Sequence, residues 1–519
     1  MPTHAALAIV AGLLVLATSH RAEAQQLDVL IRGGTLVDGT GTPARAADVG
    51  ITGDRITFVG DAAATGRTAK RTIDATGLVV APGFIDPHTH TGGDLSNDRT
   101  KSNLPYLMQG VTTVVTNNDG GGIDLAKMFD TWTRQGIGTN AAAYVGHGSV
   151  RGTVMGASAL DPTPAQLDSM KKLVAREMDA GALGLSTGLY YAPGSFSKTE
   201  EVIELAKVAA QKGGIYDSHM RDESSYTIGL IGSINETIRI AREARIPVHI
   251  AHIKALGVDV WGQADSVIKL VRAARARGLE VTADQYPYTA SGTSVSASLL
   301  PRWVEEGGNA AMRKRLTDPE LHDQIVREMT DNMRRRGGAA SLLMVSTRVP
   351  GILGKNLEQI AKERGKPPID AAIEIILAGG SSVASFNMDE PDIRKFMVQD
   401  FVATGSDGSG GHPRKYGTFP KLLHQYVYTD HVLTIEQAVQ RSSSRTAAAL
   451  RIRDRGTVAS GMFADVIVFD PKAVADRSTY EKPTELAVGM KYVLVNGVVA
   501  IDDGKYAGAT AGRVLKRAR

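Results

Sequence analysis

Between residues 81 and 455 the sequence repeats one pattern: a short apolar run, then a stretch with helical periodicity. The apolar runs fall at 84–90, 112–119, 141–148, 184–189, 214–220, 247–254, 281–288 and 401–407. Helical patterns at 164–180, 200–211, 231–244 and 264–277 lie between them. Strands joined by helical crossovers run parallel, and eight such units suffice to close a ring. The expectation is an α/β chain built on a (β/α)8, TIM-like barrel. An open doubly wound sheet is the alternative, but no GxGxxG or GxxxxGK[ST] stands at a strand–helix turn to favour it. The connection between the seventh and eighth strands is far longer than a crossover needs. It holds an extra helical pattern at 311–336 and reads as a lid-like insertion over about residues 293–350.

The barrel region, 81–455, is flanked by alternating, strand-like sequence on both sides. Residues 25–80 and 456–519 are therefore expected to pair into one small discontinuous β-sandwich domain. Ahead of them, Ala5 to Thr18 is apolar and Ala22-Glu-Ala24 has the small-residue pattern of a cleavage site. Residues 1–24 read as a signal peptide, so an exported, periplasmic protein is expected. No later stretch is apolar for long enough to span a bilayer, so no stable membrane insertion is expected after cleavage.

Composition narrows the chemistry. The chain has no cysteine, which excludes disulfides, thiolate zinc sites and a cysteine nucleophile. Its 59 Lys and Arg are interspersed with 55 Asp and Glu, leaving no basic stripe for nucleic acid. The sequence leaves the oligomeric state open.

Barrel active sites lie at the C-terminal ends of the strands, and the chemistry-bearing residues fall there. Phe84-Ile-Asp-Pro-His-Thr-His90 ends in two histidines one residue apart. Strand alternation turns His88 and His90 to the same face. Asp119 ends the second run, His147 the third, His219 the fifth, His252 the sixth and Asp407 the eighth. One strand-end histidine is an ordinary structural residue. Imidazoles and carboxylates at several converging ends match the ligand chemistry of zinc, as one ion or two. His249 lies three residues before His252, so alternation turns it outward, toward the helices. His147 either touches substrate or caps a layer of the barrel.

These residues resemble the amidohydrolase superfamily and, within it, the N-acyl-D-amino-acid deacylases. The matching stretches include Ala81-Pro-Gly-Phe-Ile-Asp-Pro-His-Thr-His90, His219-Met-Arg-Asp-Glu223, Ala251-His-Ile-Lys254, Gln285-Tyr-Pro-Tyr288 and His412-Pro-Arg-Lys-Tyr-Gly-Thr-Phe419. The resemblance covers nearly all of the chain after residue 24. It implies that His88, His90 and Asp407 serve the more buried of two metal positions, and His219 and His252 the other. In the D-aminoacylases a cysteine after the second strand completes the second position; here Asp119 stands there. Asp407 would be the general base and acid. Lys254, Tyr286 and Ser291 would bind a substrate carboxylate, and Tyr191 would face the oxyanion. Arg221 and Arg414 are further cations near the mouth. The implied reaction is hydrolysis of an N-acyl-D-amino acid, a small-molecule amide. A cyclic-amide hydrolase of the dihydroorotase or hydantoinase kind, a dipeptidase, and a binding protein on a degenerate barrel are the alternatives.

Overall fold

The computed structural model describes Met1 and residues 26–518. The expected signal peptide, Met1 apart, lies outside the described residues. Among the described residues, no helix is long and apolar enough to cross a membrane.

Eight short parallel strands surround a common axis. They are Phe84–Asp86, Val111–Thr116, Asn140–Ala143 with Val145–Gly146, Gly184–Gly188, Ile215–His219, Val248–Ile250, Val281–Gln285 and Val402–Thr404. They form two arcs, one of the first three strands and one running from Val145–Gly146 to the eighth strand. The arcs share the third strand, which is interrupted at Tyr144. At the other seam the strands meet only at their C-terminal ends. There the Asp407 N–H donates to the His88 carbonyl at 2.9 Å, and Thr89 bridges Gly408. Asp86 pins the same seam by accepting from the backbone N–H of His88 at 3.2 Å and of Ser406 at 3.0 Å.

The strands are buried on both faces, as helix-covered parallel strands must be. The helices between them are one-sided. Thr199–Gln211 buries Val202, Ile203, Leu205, Ala206 and Ala209 against the barrel. Pro164–Ala180 starts at a Thr163–Gln166 capping box and stops at Gly181, whose φ of 117° few side chains tolerate.

Several strands end earlier than the apolar runs suggest. The first stops at Asp86, because Pro87 has no N–H for the ladder. The sixth stops at Ile250, and His252 adopts a left-handed φ of 35°. That break overturns the expected direction of His249. Val248 and Ile250 pack into the helix-side core, so His249 faces the axis and bonds Asp284 at 2.9 Å. Period-two counting from His252 fails because the two histidines are not on one continuous strand.

The insertion is larger than about 293–350. It runs from the strand Ala290–Ser294 to the strand Ser381–Phe386, which lies between it and Leu342–Thr347 in a three-stranded antiparallel sheet. Helices including Asn309–Leu316, Pro319–Arg335, Leu357–Arg364 and Pro368–Leu377 pack on this sheet around a separate apolar core. Both chain ends build the β domain, where Val79–Pro82 pairs antiparallel with Val466–Phe469. Val29, Ile31, Val49, Ile51, Val466 and Leu494 fill its core.

Candidate metal centre and active site

Three strand ends carry a polar residue in the left-handed region: Asp119 at φ 58°, His252 at 35° and Asp407 at 47°. Such backbone is costly away from glycine and persists where the surroundings over-determine it. All three aim at one spot. His88, His90, Asp119 and Asp407 bring ligand atoms within 4.8 Å of one another, and so do Asp119, His219 and His252. Asp119 belongs to both groups. Its Oδ1 lies 3.4 Å from His88 Nε2, 3.4 Å from His219 Nδ1 and 3.5 Å from His252 Nε2. Its Oδ2 lies 3.5 Å from His90 Nε2.

The donor set fits a metal ion. Among the described residues, both ring nitrogens of fully buried His88 and the Oδ1 of Asp119 lack hydrogen-bond partners, although such buried groups are normally satisfied. The field has the right sign as well. Burial opposes a proton on His88, yet Asp119 and then Asp407 outweigh it and lift the imidazole to about 10. The two carboxylates thus call for positive charge among the rings, and a divalent cation answers the same call.

Above this floor opens a cavity of about 460 Å³. Asp407 stands at its edge with Arg414 Nη1 at 2.8 Å from one carboxylate oxygen and His90 Nε2 at 3.0 Å from the other. Tyr191, Lys254, Tyr286 and Ser291 all line the cavity. The Tyr286 hydroxyl is buried and has no hydrogen-bond partner among the described residues, with the Arg414 guanidinium 4.7 Å from its ring centre. The Tyr191 hydroxyl lies 3.3 Å from Thr293 Oγ1, and its ring packs on His219. The insertion supplies the opposite wall through Gly292, Val345, Ser346 and Val383.

Two residues expected at the substrate lie elsewhere. Arg221 makes a two-pronged ion pair with Glu236, 2.8–3.1 Å long, and borders a separate cavity beside the insertion. Its position two residues past His219 turns it sideways, into the helix that follows. His147 is fully buried, starts a helix and bonds Glu201 at 2.8 Å, with Arg151 on the same carboxylate. It belongs to a buried ionic cluster outside the cavity. Arg221→Ala should therefore lower thermal stability, since it strands Glu236, by about 3 kcal/mol. Its KM should stay within about twofold of wild type; a tenfold rise in KM would put Arg221 back at the substrate.

Glu223 was not singled out by sequence, although it closes the His219–Glu223 stretch. It is buried in the cavity wall with Oε1 at 2.7 Å from Lys254 Nζ and 3.1 Å from His252 Nδ1. Burial opposes its charge, but Lys254 and the two histidines hold it well below the ordinary carboxylate range. Glu223 thereby neutralises Lys254 and fixes the His252 ring, the usual service of a carboxylate behind a ligand histidine. Its i+4 spacing from His219 was the available signal. Arg336 and Tyr226, which also line the cavity, left none that could be read locally.

A parallel barrel with a shared histidine–aspartate floor beneath a covered cavity defines the class of metal-dependent barrel hydrolases. The chain belongs to the Amidohydrolase family, which matches residues 71–501. It is 35% identical to a D-aminoacylase of Alcaligenes xylosoxydans xylosoxydans, over 96% of this chain and 99% of that protein. Among solved structures, a D-aminoacylase with a binuclear metal centre superposes with a TM-score of 0.81 at 34% identity, covering 95% of this chain and 100% of that one. The N-acyl-D-glutamate deacylase of Bordetella bronchiseptica, in complex with zinc and a phosphonate mimic of the tetrahedral intermediate, does so with a TM-score of 0.81 at 31% identity, again over 95% and 100%.

Proposed function

We propose that this chain hydrolyses the amide bond of N-acyl-D-amino acids, giving a carboxylate and a free D-amino acid. The observation that carries the reading is Asp119 shared between two ligand groups, with Asp407 beside them at the cavity floor. The whole-length likeness to D-aminoacylase points the same way. Zinc, as one ion or two, would be held by His88, His90, Asp119 and Asp407 and by Asp119, His219 and His252. When bound it supplies a Lewis acid and makes water acidic enough to ionise near neutral pH.

The chain's own residues do the rest. As the water oxygen bonds the amide carbon, Asp407 takes the water proton on its carboxylate. It then returns that proton to the amide nitrogen as the C–N bond breaks. Arg414 and His90 keep Asp407 ionised for the first step; the net effect holds it well below the ordinary range despite its burial. Burial, then Asp119, raises the Tyr191 phenol far above its ordinary value, so it stays protonated and can donate to the developing oxyanion. The Tyr286 hydroxyl and Ser291 offer donors to the other end of the substrate.

The direct test is turnover of paired N-acetyl D- and L-amino acids, with hydantoin and dihydroorotate as controls and metal content measured on the same sample. Hydrolysis of the D compounds, at least about tenfold faster than their L partners, is expected; that ratio is about 1.4 kcal/mol of discrimination. Metal-loaded protein that cleaves no N-acyl amino acid would end this reading. The apolar run and the Ala22-Glu-Ala24 pattern further support a periplasmic place of action. Cell fractionation that finds the full-length chain in the cytoplasm would refute that place.

A further inference from the structure

At the ends of the third and fourth strands lies an ionic cluster that the proposed chemistry does not use. His147 starts the helix His147–Met155, and Glu201 lies in the helix Thr199–Gln211. His147 Nε2 donates to one Glu201 oxygen at 2.8 Å; the proton is on that nitrogen, because a carboxylate only accepts. Arg151, also fully buried, donates to the other Glu201 oxygen and to the Ser158 and Leu160 carbonyls at 3.2 and 2.7 Å. Such a cluster is a poor device for stability, since desolvating buried charges offsets most of their attraction. What it supplies is direction, for charge-assisted bonds fix both partners in place and angle.

The part that rests on this cluster is the segment carrying Tyr191 into the cavity. The Tyr191 N–H donates to the Gly188 carbonyl at 3.1 Å, and the Tyr191 carbonyl accepts from the Ser195 N–H at 2.8 Å. Three residues past Tyr191 the chain comes against the His147 ring. A Cβ on Gly194 would lie 3.6 Å from His147 Nδ1 and 2.7 Å from the Gly188 oxygen, an approach that only glycine permits. The Ser197 hydroxyl then donates to the Gly194 carbonyl at 2.7 Å, and the helix that holds Glu201 begins at Thr199. The segment is thus fastened at Gly188, backed by the imidazole at Gly194, and continued into the helix to which that imidazole is bonded. His147 Nδ1 has no hydrogen-bond partner among the described residues, so the ring acts on the segment by packing. The Tyr191 hydroxyl has only Thr293 Oγ1, at 3.3 Å, to hold its tip among the described residues. Its place is therefore set by the backbone beneath it.

We propose that His147, bonded to Glu201 and packed on Gly194, is a positioning residue that sets the place of the Tyr191 hydroxyl. This rests on the hydrolase reading above, in which Tyr191 donates to the oxyanion. An oxyanion donor is worth about 100- to 1,000-fold in kcat, and a displacement of about 1 Å can forfeit about 100-fold. His147→Leu should therefore lower kcat about 10- to 100-fold while KM stays within about twofold. His147→Gln keeps an N–H donor toward Glu201 and should recover most of that loss. In a Tyr191→Phe background the same His147→Leu change should cost less than about threefold, because the hydroxyl that it places is gone.

An unchanged kcat in His147→Leu, or full additivity with Tyr191→Phe, would overturn the proposal. So would a fall in zinc bound per chain in His147→Leu. That result would put the effect at Asp119, whose neighbour Gly120 accepts from the Ser149 N–H at 3.0 Å. Tyr191→Phe turning over at the wild-type rate would overturn it too, since His147 would have no useful hydroxyl to place. Should His147→Leu fail to fold, His147→Asn, too short to reach Glu201, takes its place in the cycle. Should the wild type cleave no N-acyl amino acid, the hydrolase reading fails by itself, and the position of Tyr191 is read directly. A fluorotyrosine placed at position 191 of the full chain should give the same fluorine resonance in wild type and His147→Gln, and one that moves or broadens in His147→Leu. A resonance unchanged in all three would overturn the positioning role.

Discussion

Asp407→Asn should lower kcat by about 1,000-fold or more, and it should also lower thermal stability by about 3 kcal/mol, since it leaves the buried Arg414 guanidinium without its counter-charge. General acid–base catalysis by one positioned group contributes about 100- to 10,000-fold, and Asp407 serves both proton transfers. Asparagine preserves volume but keeps only one acceptor oxygen, its amide nitrogen replacing one of the two carboxylate oxygens that face Arg414 at 2.8 Å and His90 at 3.0 Å. What it cannot do is take a proton. The environment explains why a carboxylate is needed rather than any acceptor. Burial would favour the neutral acid, but Arg414 first, then His90 and the neighbouring histidines, keep the ionised form. A base that stays ionised in a buried site is ready for the water proton, and its protonated form gives it up readily to an amine. Single-turnover rates and metal content should be measured together. A variant that keeps its metal yet stays within about tenfold of the wild-type rate would remove Asp407 from the proton path.

Much of this site was legible because its parts lie at strand ends. His88, His90, Asp119, His219, His252 and Asp407 are separated by up to 319 residues, yet each follows an apolar run, and barrel topology brings such ends together. Pattern reading failed where the backbone leaves its period. His249 was turned outward by alternation, but the turn at Ala251 and His252 breaks the strand and leaves His249 facing the axis. It failed again for side chains whose partners are remote in sequence. Arg221 looks like a mouth cation until Glu236, on the following helix, is seen to hold it. Glu223 was visible as a motif member, but its role depends on Lys254, 31 residues away. The insertion was seen as too long for a crossover. Its true extent depends on the strand Ser381–Phe386 pairing back to Ala290–Ser294, a non-local register that local propensity does not encode.

Asp119→Ala should cost both metal and activity, because this carboxylate is the part that the two ligand groups share. Removing it leaves His219 and His252 as a pair without a third protein ligand, whereas zinc sites ordinarily use three or four. The remaining group keeps His88, His90 and Asp407. The expected result is a fall in zinc bound per chain, weaker retention against a competing chelator, and a loss of turnover of about 100-fold or more, since even partners that merely support a ligand are worth about 10- to 100-fold. Asp119→Cys is the informative second variant, since the D-aminoacylases that this sequence resembles carry sulfur there. A thiolate offers one soft atom in place of two hard oxygens, one 3.4 Å from His88 and His219 and the other 3.5 Å from His90. It should retain zinc tightly, and it should discriminate more strongly against manganese and magnesium, which prefer oxygen. Wild-type zinc stoichiometry and rate in Asp119→Ala would show that the two groups do not depend on this residue. They would also show that its left-handed backbone serves the loop rather than the ions.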